Sequence, residues 1–296
     1  MTVGLSVLIP VFNWNVGALV ESLLAQWAGW PGPVEIILLD DGSDEEFRAR
    51  NRPLAARPGV RYHELARNVG RAAIRNQLAA AARHGWLLLL DNDSLLPDAQ
   101  FLARYAAARN QAAVLIGGTC YAQQQPVDVT LRLRWLYGRA REARPAAQRQ
   151  TAPYAQLTIN NTLLRAEIFA RFPLDEQLNG YGHEDTQFGR ALAAGSISVL
   201  HLDNPVLHIG LEPAAAFLAK SEEAVRNLAQ TFCADGLRAD SRLLQTALRL
   251  RSWGLTGAVK AALAKAEPSL RRNLLSTAPS LLAFDLLKLS WLLKLL

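Results

Sequence analysis

The chain has 296 residues, half of them hydrophobic and a fifth charged, which excludes a disordered chain and leaves room for one large domain or two modest ones. The net charge of +6 is uneven: from Leu237 onward ten Lys and Arg face three Asp and Glu, a balance of +7, so the rest is near neutral at −1. A basic tail suits nucleic acid or an anionic membrane, but no zinc knuckle or basic–aromatic repeat accompanies it, which argues against nucleic acid.

The first apolar run is short and closed by Pro10, with no basic start or small-residue cleavage site. It reads as a buried strand, Leu5–Val11, rather than a signal peptide. A helix near Val16–Trp27 follows, then a strand Val34–Leu39 and a helix capped at Ser43, with Glu46 at capping-box spacing. A strand Val60–Leu65 precedes a helix from Arg71 to His84, stopped by Gly85, and a fully apolar strand Trp86–Leu90. This alternation predicts an α/β fold with a mostly parallel sheet between helices and ligands at the carboxyl ends of the strands.

Val114–Tyr121 is a further expected strand. The basic stretch Arg132–Arg149, with Trp135 and Tyr137, reads either as a flap or as a helix with a buried aromatic side. After Asn160 and Asn161 come a short helix near Arg165–Phe172 and strands Ile197–Leu202 and Val206–Ile209. From Pro213 the pattern is helical and rich in Leu and Ala, so the expected division is 1–212 and 213–296. Leu281–Leu296 has no clean polar face; its own core, a partner chain and the membrane interface remain open as its home. No run reaches the roughly 20 apolar residues that span a bilayer. Cys120 and Cys233 lie far apart and read as reduced thiols of a cytosolic protein.

Four groups of residues carry chemistry. In LLLLDNDS, Asp91 and Asp93 end a buried strand, where both carboxylates can reach one hard cation; the same pattern fits a loop in which Asp93 or Ser94 caps the next helix. In LLDDGS, Asp40 and Asp41 can accept from a nucleobase or ribose, or can simply make a turn. In RNVGRAAIRN, Asn68 and Gly70 shape a loop, and Arg71 and Arg75 lie one turn apart at a helix start, a setting that suits a diphosphate. In YGHED, Glu184 and Asp185 offer a general base, and His208 at a later strand end offers a metal ligand.

The order of these motifs, strand–PVFN, strand–DDGS, NVGRAAIRN, strand–DND, GHED and a downstream His, resembles the inverting GT-A glycosyltransferases of family 2, over roughly residues 3 to 210. The resemblance implies a GT-A sheet with a C-terminal helical extension, and transfer of a sugar from a nucleotide-diphosphate sugar, UDP-linked by preference, to an acceptor hydroxyl. It places Pro10, Val11, Asn13, Asp40, Asp41, Asn68, Gly70, Arg71, Arg75 and Asn92 around the donor. Asp91, Asp93 and His208 become ligands of Mn2+ or Mg2+. Asp185 becomes the base with Glu184 beside it, and Asn161, Gly182 and His183 lie toward the acceptor. It also implies bacterial polysaccharide or glycolipid synthesis, a saccharide or lipid-linked acceptor, no nucleic acid partner, and a cytoplasmic location with peripheral membrane contact through the C-terminal helix. The Q-x-x-R-W motif of processive synthases is absent.

Two rivals explain less. A haloacid-dehalogenase-type phosphatase carries its D-x-D on the first strand, whereas here it follows the fourth. A sugar nucleotidyltransferase has a Gly-rich basic loop after the first strand, where this chain reads VFNWNVG.

Overall fold

The computed structural model describes residues 4–176, 184–235 and 241–296, without the side chains of residues 231 and 233–235. Its residues form two compact units. The first comprises Met1–Tyr121, Arg141–Asn179 and Glu184–Gly210; the second comprises Ala122–Ala140, Gly180–His183 and Leu211–Leu296.

The first unit opens with β1 (Leu5–Val11), α1 (Gly17–Leu24), β2 (Val34–Asp40), α2 (Glu45–Asn51), β3 (Val60–Glu64), α3 (Arg71–Ala81) and β4 (Trp86–Leu90). The four strands pair in parallel in the order β3-β2-β1-β4. Successive residues of β1 serve opposite faces, as strand geometry requires. Leu5, Val7, Ile9 and Val11 pack with α1 and with α4 (Phe101–Ala108), while Leu8 packs with Ile74 and Leu78 of α3. Burial on both faces explains why β1, β2 and β4 read as largely apolar runs, whereas β3, at the sheet edge, is only partly buried.

The later strands give the sheet its mixed character. β5 (Ser94–Leu95), β6 (Val114–Ile116), β7 (Thr119–Cys120), β8 (Asn161–Arg165), β9 (Val199–His201) and β10 (Val206–His208) complete the set. β8 lies antiparallel between β4 and β6, and β9 extends the sheet parallel to β6. A small second sheet runs β5-β10-β7. The strand expected over Val114–Tyr121 is broken: Gly118 takes a φ of +87°, and a Cβ on Gly117 would collide with Asn161, Asn204 and Tyr105. β8 was not expected, because NTLLR is short and polar at its start.

Two helix boundaries also differ. α2 begins at Glu45 with Asp44 at its N-cap, and Ser43 caps nothing. α3 ends at Ala81, ahead of Gly85, because Ala82 is extended.

The second unit is helical. α5 (Arg132–Tyr137), α9 (Ala214–Asp235), α10 (Arg242–Ser252), α11 (Thr256–Leu274) and α12 (Leu281–Leu295) share one core, whereas α6 (Ala146–Gln150), α7 (Ala166–Arg171) and α8 (Glu184–Ala194) belong to the first unit. The stretch after Arg132 is therefore helical, with Tyr137 between Phe217 and Phe284. In α12, Phe284, Leu287, Trp291, Leu292 and Leu293 are buried in that core. Of the three homes open to this helix, its own core takes most of its apolar side chains, while Leu282, Leu295 and Leu296 stay exposed. Among the described residues, no helix is long and apolar enough to cross a membrane.

Candidate functional site

The carboxyl ends of β1 and β2 are locked to each other. Val11 pairs with Asp40, and the Asp41 N–H donates to the Val11 carbonyl at 2.7 Å. The loop after β1 reverses through Asn13, whose φ is +46°, an angle that Asn tolerates better than most residues. Asn13 N–H donates to Ser43 Oγ at 2.9 Å, and its Oδ1 accepts from Asp44 N–H at 2.8 Å. Asn51 holds the same loop by accepting from Val16 N–H and donating to the Trp14 carbonyl. Pro10 is half-buried and Val11 buried below this loop, and Asn92 Nδ2 donates to the Phe12 carbonyl at 3.3 Å.

Asp40, expected at the nucleobase, is fully buried and holds the turn together. It accepts from Ser43 N–H at 2.7 Å and from the Tyr62 hydroxyl at 3.1 Å. Both Asp40 oxygens are thus engaged within the turn. Asp41 is also buried and accepts from Val69 N–H at 2.7 Å and Gly70 N–H at 3.3 Å. Burial raises its carboxyl above the ordinary range despite these two bonds. Asn68 Oδ1 also accepts from Gly70 N–H, and Gly70, at φ +93°, opens α3. The DDGS turn thus shapes the loop at the head of α3. Gly42 lies so close to Arg67 and Asn68 that an added Cβ would sit 2.7 Å from their backbone.

Arg71 is exposed at the start of α3, but Arg75 is buried. Arg75 Nη2 donates to Asp91 Oδ1 at 2.6 Å, and its Nη1 lies 3.7 Å from Glu184 Oε2. The diphosphate expectation therefore finds Arg75 already engaged, bridging two carboxylates brought from β4 and α8. Asp185 follows Glu184 in the first turn of α8, and its Oδ1 accepts from Ile159 N–H at 3.1 Å. Loss of solvation pushes the Asp185 carboxyl up to about 6; Asp91 and Glu184 add to the rise, and Arg75 opposes it. A carboxyl raised toward neutrality suits general base work.

Asp93 and His208 form the second polar group. Their side chains approach to 3.4 Å through His208 Nδ1, and Ile209 N–H donates to the Asp93 carbonyl. Asp91, expected to join them, is turned to Arg75, and among the described residues no three His, Cys, Asp or Glu gather round one point. The pair nonetheless fits a hard divalent cation. His208 Nε2 is buried without a hydrogen-bond partner, and a Cβ on Gly210 would overlap the Asp93 carboxylate. Imidazole and carboxylate are suitable donors for Mn2+ or Mg2+, which keep their other positions for water and phosphate oxygens.

Asn161, expected toward the acceptor, lies in the core. It is fully buried, donating to the Gly118 and Asn204 carbonyls and accepting from the Tyr105 hydroxyl, so its amide is used within the core. Its neighbour Asn160 stands in the site: its carbonyl accepts from Asp91 N–H, its Nδ2 donates to Thr119 Oγ1 at 2.8 Å, and its Oδ1 has no partner. Gly182 and His183 lie outside the described residues. Arg149, the last residue of the basic stretch, has a role in the core that its place in that stretch does not reveal. Its buried guanidinium donates to the carbonyls of Ile116, Gly117 and Leu202 and contacts His201 Nδ1 at 2.6 Å, fixing the bend before β7.

Comparison with known proteins follows the same lines. The family described as Glycosyl transferase family 2 matches residues 6–169. The dodecaprenyl-phosphate galacturonate synthase of Rhizobium johnstonii is 36% identical over 93 residues, 30% of this chain and 28% of that protein, so the match spans less than a third of the curated relative. The mannosyltransferase PcManGT from Pyrobaculum calidifontis, in complex with GDP-Man and Mn2+, superposes with a TM-score of 0.55 at 18% identity, covering 96% of this chain and 78% of that one. TarS 1–349 of S. aureus in complex with UDP superposes at 0.53 with 16% identity, over 98% and 89%. At these identities the likeness is one of fold, and the fold is GT-A.

Proposed function

The chain belongs to glycosyl transferase family 2, and from that premise we propose that it moves a sugar from a nucleoside-diphosphate donor, UDP-linked by preference, to an acceptor hydroxyl with inversion at the anomeric carbon. The observation that carries this reading is the convergence of Asp91, Arg75, Glu184 and Asp185 beside the Asp93–His208 pair.

The nucleotide end of the donor lies on the Pro10–Asn13 loop and near Asn92, and the diphosphate on Gly70 and Arg71 at the head of α3, where N–H groups and a guanidinium favour an anion. Asp93 and His208 would hold a Mn2+ or Mg2+ ion, and Asp91 would join them only on release from Arg75. When bound, that cation supplies charge neutralisation at the departing diphosphate. Asp185 takes the proton of the acceptor hydroxyl as its oxygen attacks the anomeric carbon from the face opposite the diphosphate. Arg75 keeps Asp91 and Glu184 in register, and Asn160 lies between the cation side and the base side. A lipid-linked saccharide, attacking through a sugar hydroxyl, is the acceptor class; a lipid phosphate appears in the name of the Rhizobium relative. The role is then cell-surface polysaccharide or glycolipid synthesis at the cytoplasmic face of the membrane.

The test is a panel of nucleotide sugars incubated with the purified chain, in Mn2+ or in chelator, reading release of free nucleoside diphosphate. Release from one donor class that stops in chelator is the expected result. No release from any donor overturns the activity, and full release in chelator overturns the cation.

A further inference from the structure

With α12 buried in its own unit, its apolar surface no longer accounts for the basic excess that precedes it. Its members Arg249, Arg251 and Lys260 flank a different feature, the turn joining α10 to α11, with the others further along α11. Between Arg249 and Arg272 the sequence holds Arg249, Arg251, Lys260, Lys265, Arg271 and Arg272 against Glu267 as its single acid. Glu267 is held by Arg271 at 3.0 Å and Lys294 at 2.6 Å, so it leaves the local field positive.

Trp253 and Leu255 project at the tip of this turn, 67% and 45% exposed. The turn is fixed rather than loose. Gly254, at φ +70°, takes the left-handed position; its N–H donates to the Arg251 carbonyl at 3.1 Å, and Leu255 N–H donates to the Leu250 carbonyl at 2.9 Å. These two bonds close a Schellman motif. That motif commonly lays its last apolar residue against the preceding helix, yet here Leu255 and Trp253 both remain in solvent. Residues 251–255 are exposed without a break, and Ala258, Lys260, Ala261, Ala262, Ala264 and Lys265 continue the exposed surface along α11. Single exposed apolar residues are ordinary. A Trp and a Leu held on either side of a rigid glycine, inside a run of cations, are not a scattered pair.

We propose that the α10–α11 turn docks this chain on a membrane surface that carries anionic lipid headgroups. Trp253 and Leu255 enter the interfacial layer, where an indole finds both apolar and polar surroundings. Arg249, Arg251 and the exposed lysines of α11 face the phosphates. Charge complementarity selects this occupant, and two weak contributions, one apolar and one electrostatic, together give reversible attachment.

The experiment is flotation of the full chain with vesicles of phosphatidylcholine alone, or with phosphatidylglycerol replacing a third of it. The variants are Trp253→Ser with Leu255→Ser, and Arg249→Gln with Arg251→Gln. All four side chains are exposed, so melting curves and donor hydrolysis stay as in the parent chain; failure of the docking proposal therefore leaves the transferase reading standing. The parent chain is expected to float with the anionic vesicles only and to be released by high salt. Each double variant is expected to bind at least about tenfold more weakly, the scale of losing two basic contacts. Three results overturn the proposal: a parent chain that stays unbound, a Trp253–Leu255 variant that floats as well as the parent, or a chain that shifts duplex DNA without floating. A dimer that the Trp253–Leu255 variant dissolves, in the absence of flotation, overturns it equally and assigns the turn to a second copy.

Discussion

At the scale of single residues, the carboxyl of Asp185 decides the pH behaviour. It is raised to about 6, chiefly by loss of solvation, and a base must be ionised to act. Transfer per unit enzyme is therefore expected to rise with pH through about 6 and flatten above it. Asp185→Asn should lower turnover by at least ~10²-fold and abolish that rise, with donor affinity little changed; normal turnover at saturating donor would remove Asp185 from the role. The sign for stability is opposite. A carboxyl raised in the folded state favours folding while protonated and loses that advantage as pH climbs from 3.8 toward 6, so at neutral pH the Asn variant should melt higher than the parent. His208→Ala should weaken Mn2+ binding, seen as a higher cation concentration for half-maximal release, while leaving the melting curve near that of the parent. The acidic motifs were legible as carboxylate pairs at strand ends, but not the structural uses of Asp40 and Asp41, whose partners lie in other loops. Asn160 and Asn161 were not separable in sequence. Adjacent residues of a strand face opposite ways, and only the tertiary partners Tyr105, Gly118 and Asn204 show which one the core takes.

At the scale of elements, β1, β2 and β4 were readable because each is buried on both faces, and β3, only partly buried at the edge, because each α/β connection is local. Ser43 misled because a Ser three residues before a Glu has two uses. Here its hydroxyl receives Asn13 N–H from another loop, a partner thirty residues away that no local pattern encodes. The joint between the DDGS turn and the loop before α3 offers a sharp test. Gly42 has a φ of +78° with backbone 2.7 Å from a built Cβ, so Gly42→Ala should destabilise by about 1–3 kcal/mol. Because Asp41 is tied to Val69 and Gly70, the same change should also raise KM for the donor; equilibrium unfolding in urea and donor titration read the two effects separately. Arg149→Met should cost roughly 3 kcal/mol, since it strands buried carbonyls at the ends of β6 and β9, and urea unfolding reads that directly.

At the scale of the whole chain, composition foretold the helical C-terminal region but not its membership. Residues 122–140 join that unit, a long-range association that no periodicity reports. Removing residues 281–296 should leave a chain that precipitates or loses the cooperative melting of the second unit, because Phe284, Leu287, Trp291 and Leu292 are core to it. The antiparallel strand β8 has a further consequence, in time rather than in space. Among the described residues it is the strand that links β4 to β6 and β9, yet it lies more than seventy residues after β4 in sequence. A ribosome adding some 5–20 residues each second keeps β4 with an open backbone edge for several seconds before Asn161–Arg165 emerges. Nascent chains of this protein are thus most exposed to edge-to-edge association midway through synthesis, and chaperone capture or aggregation should peak for chains stalled between residues 91 and 160 and fall once β8 has cleared the exit tunnel.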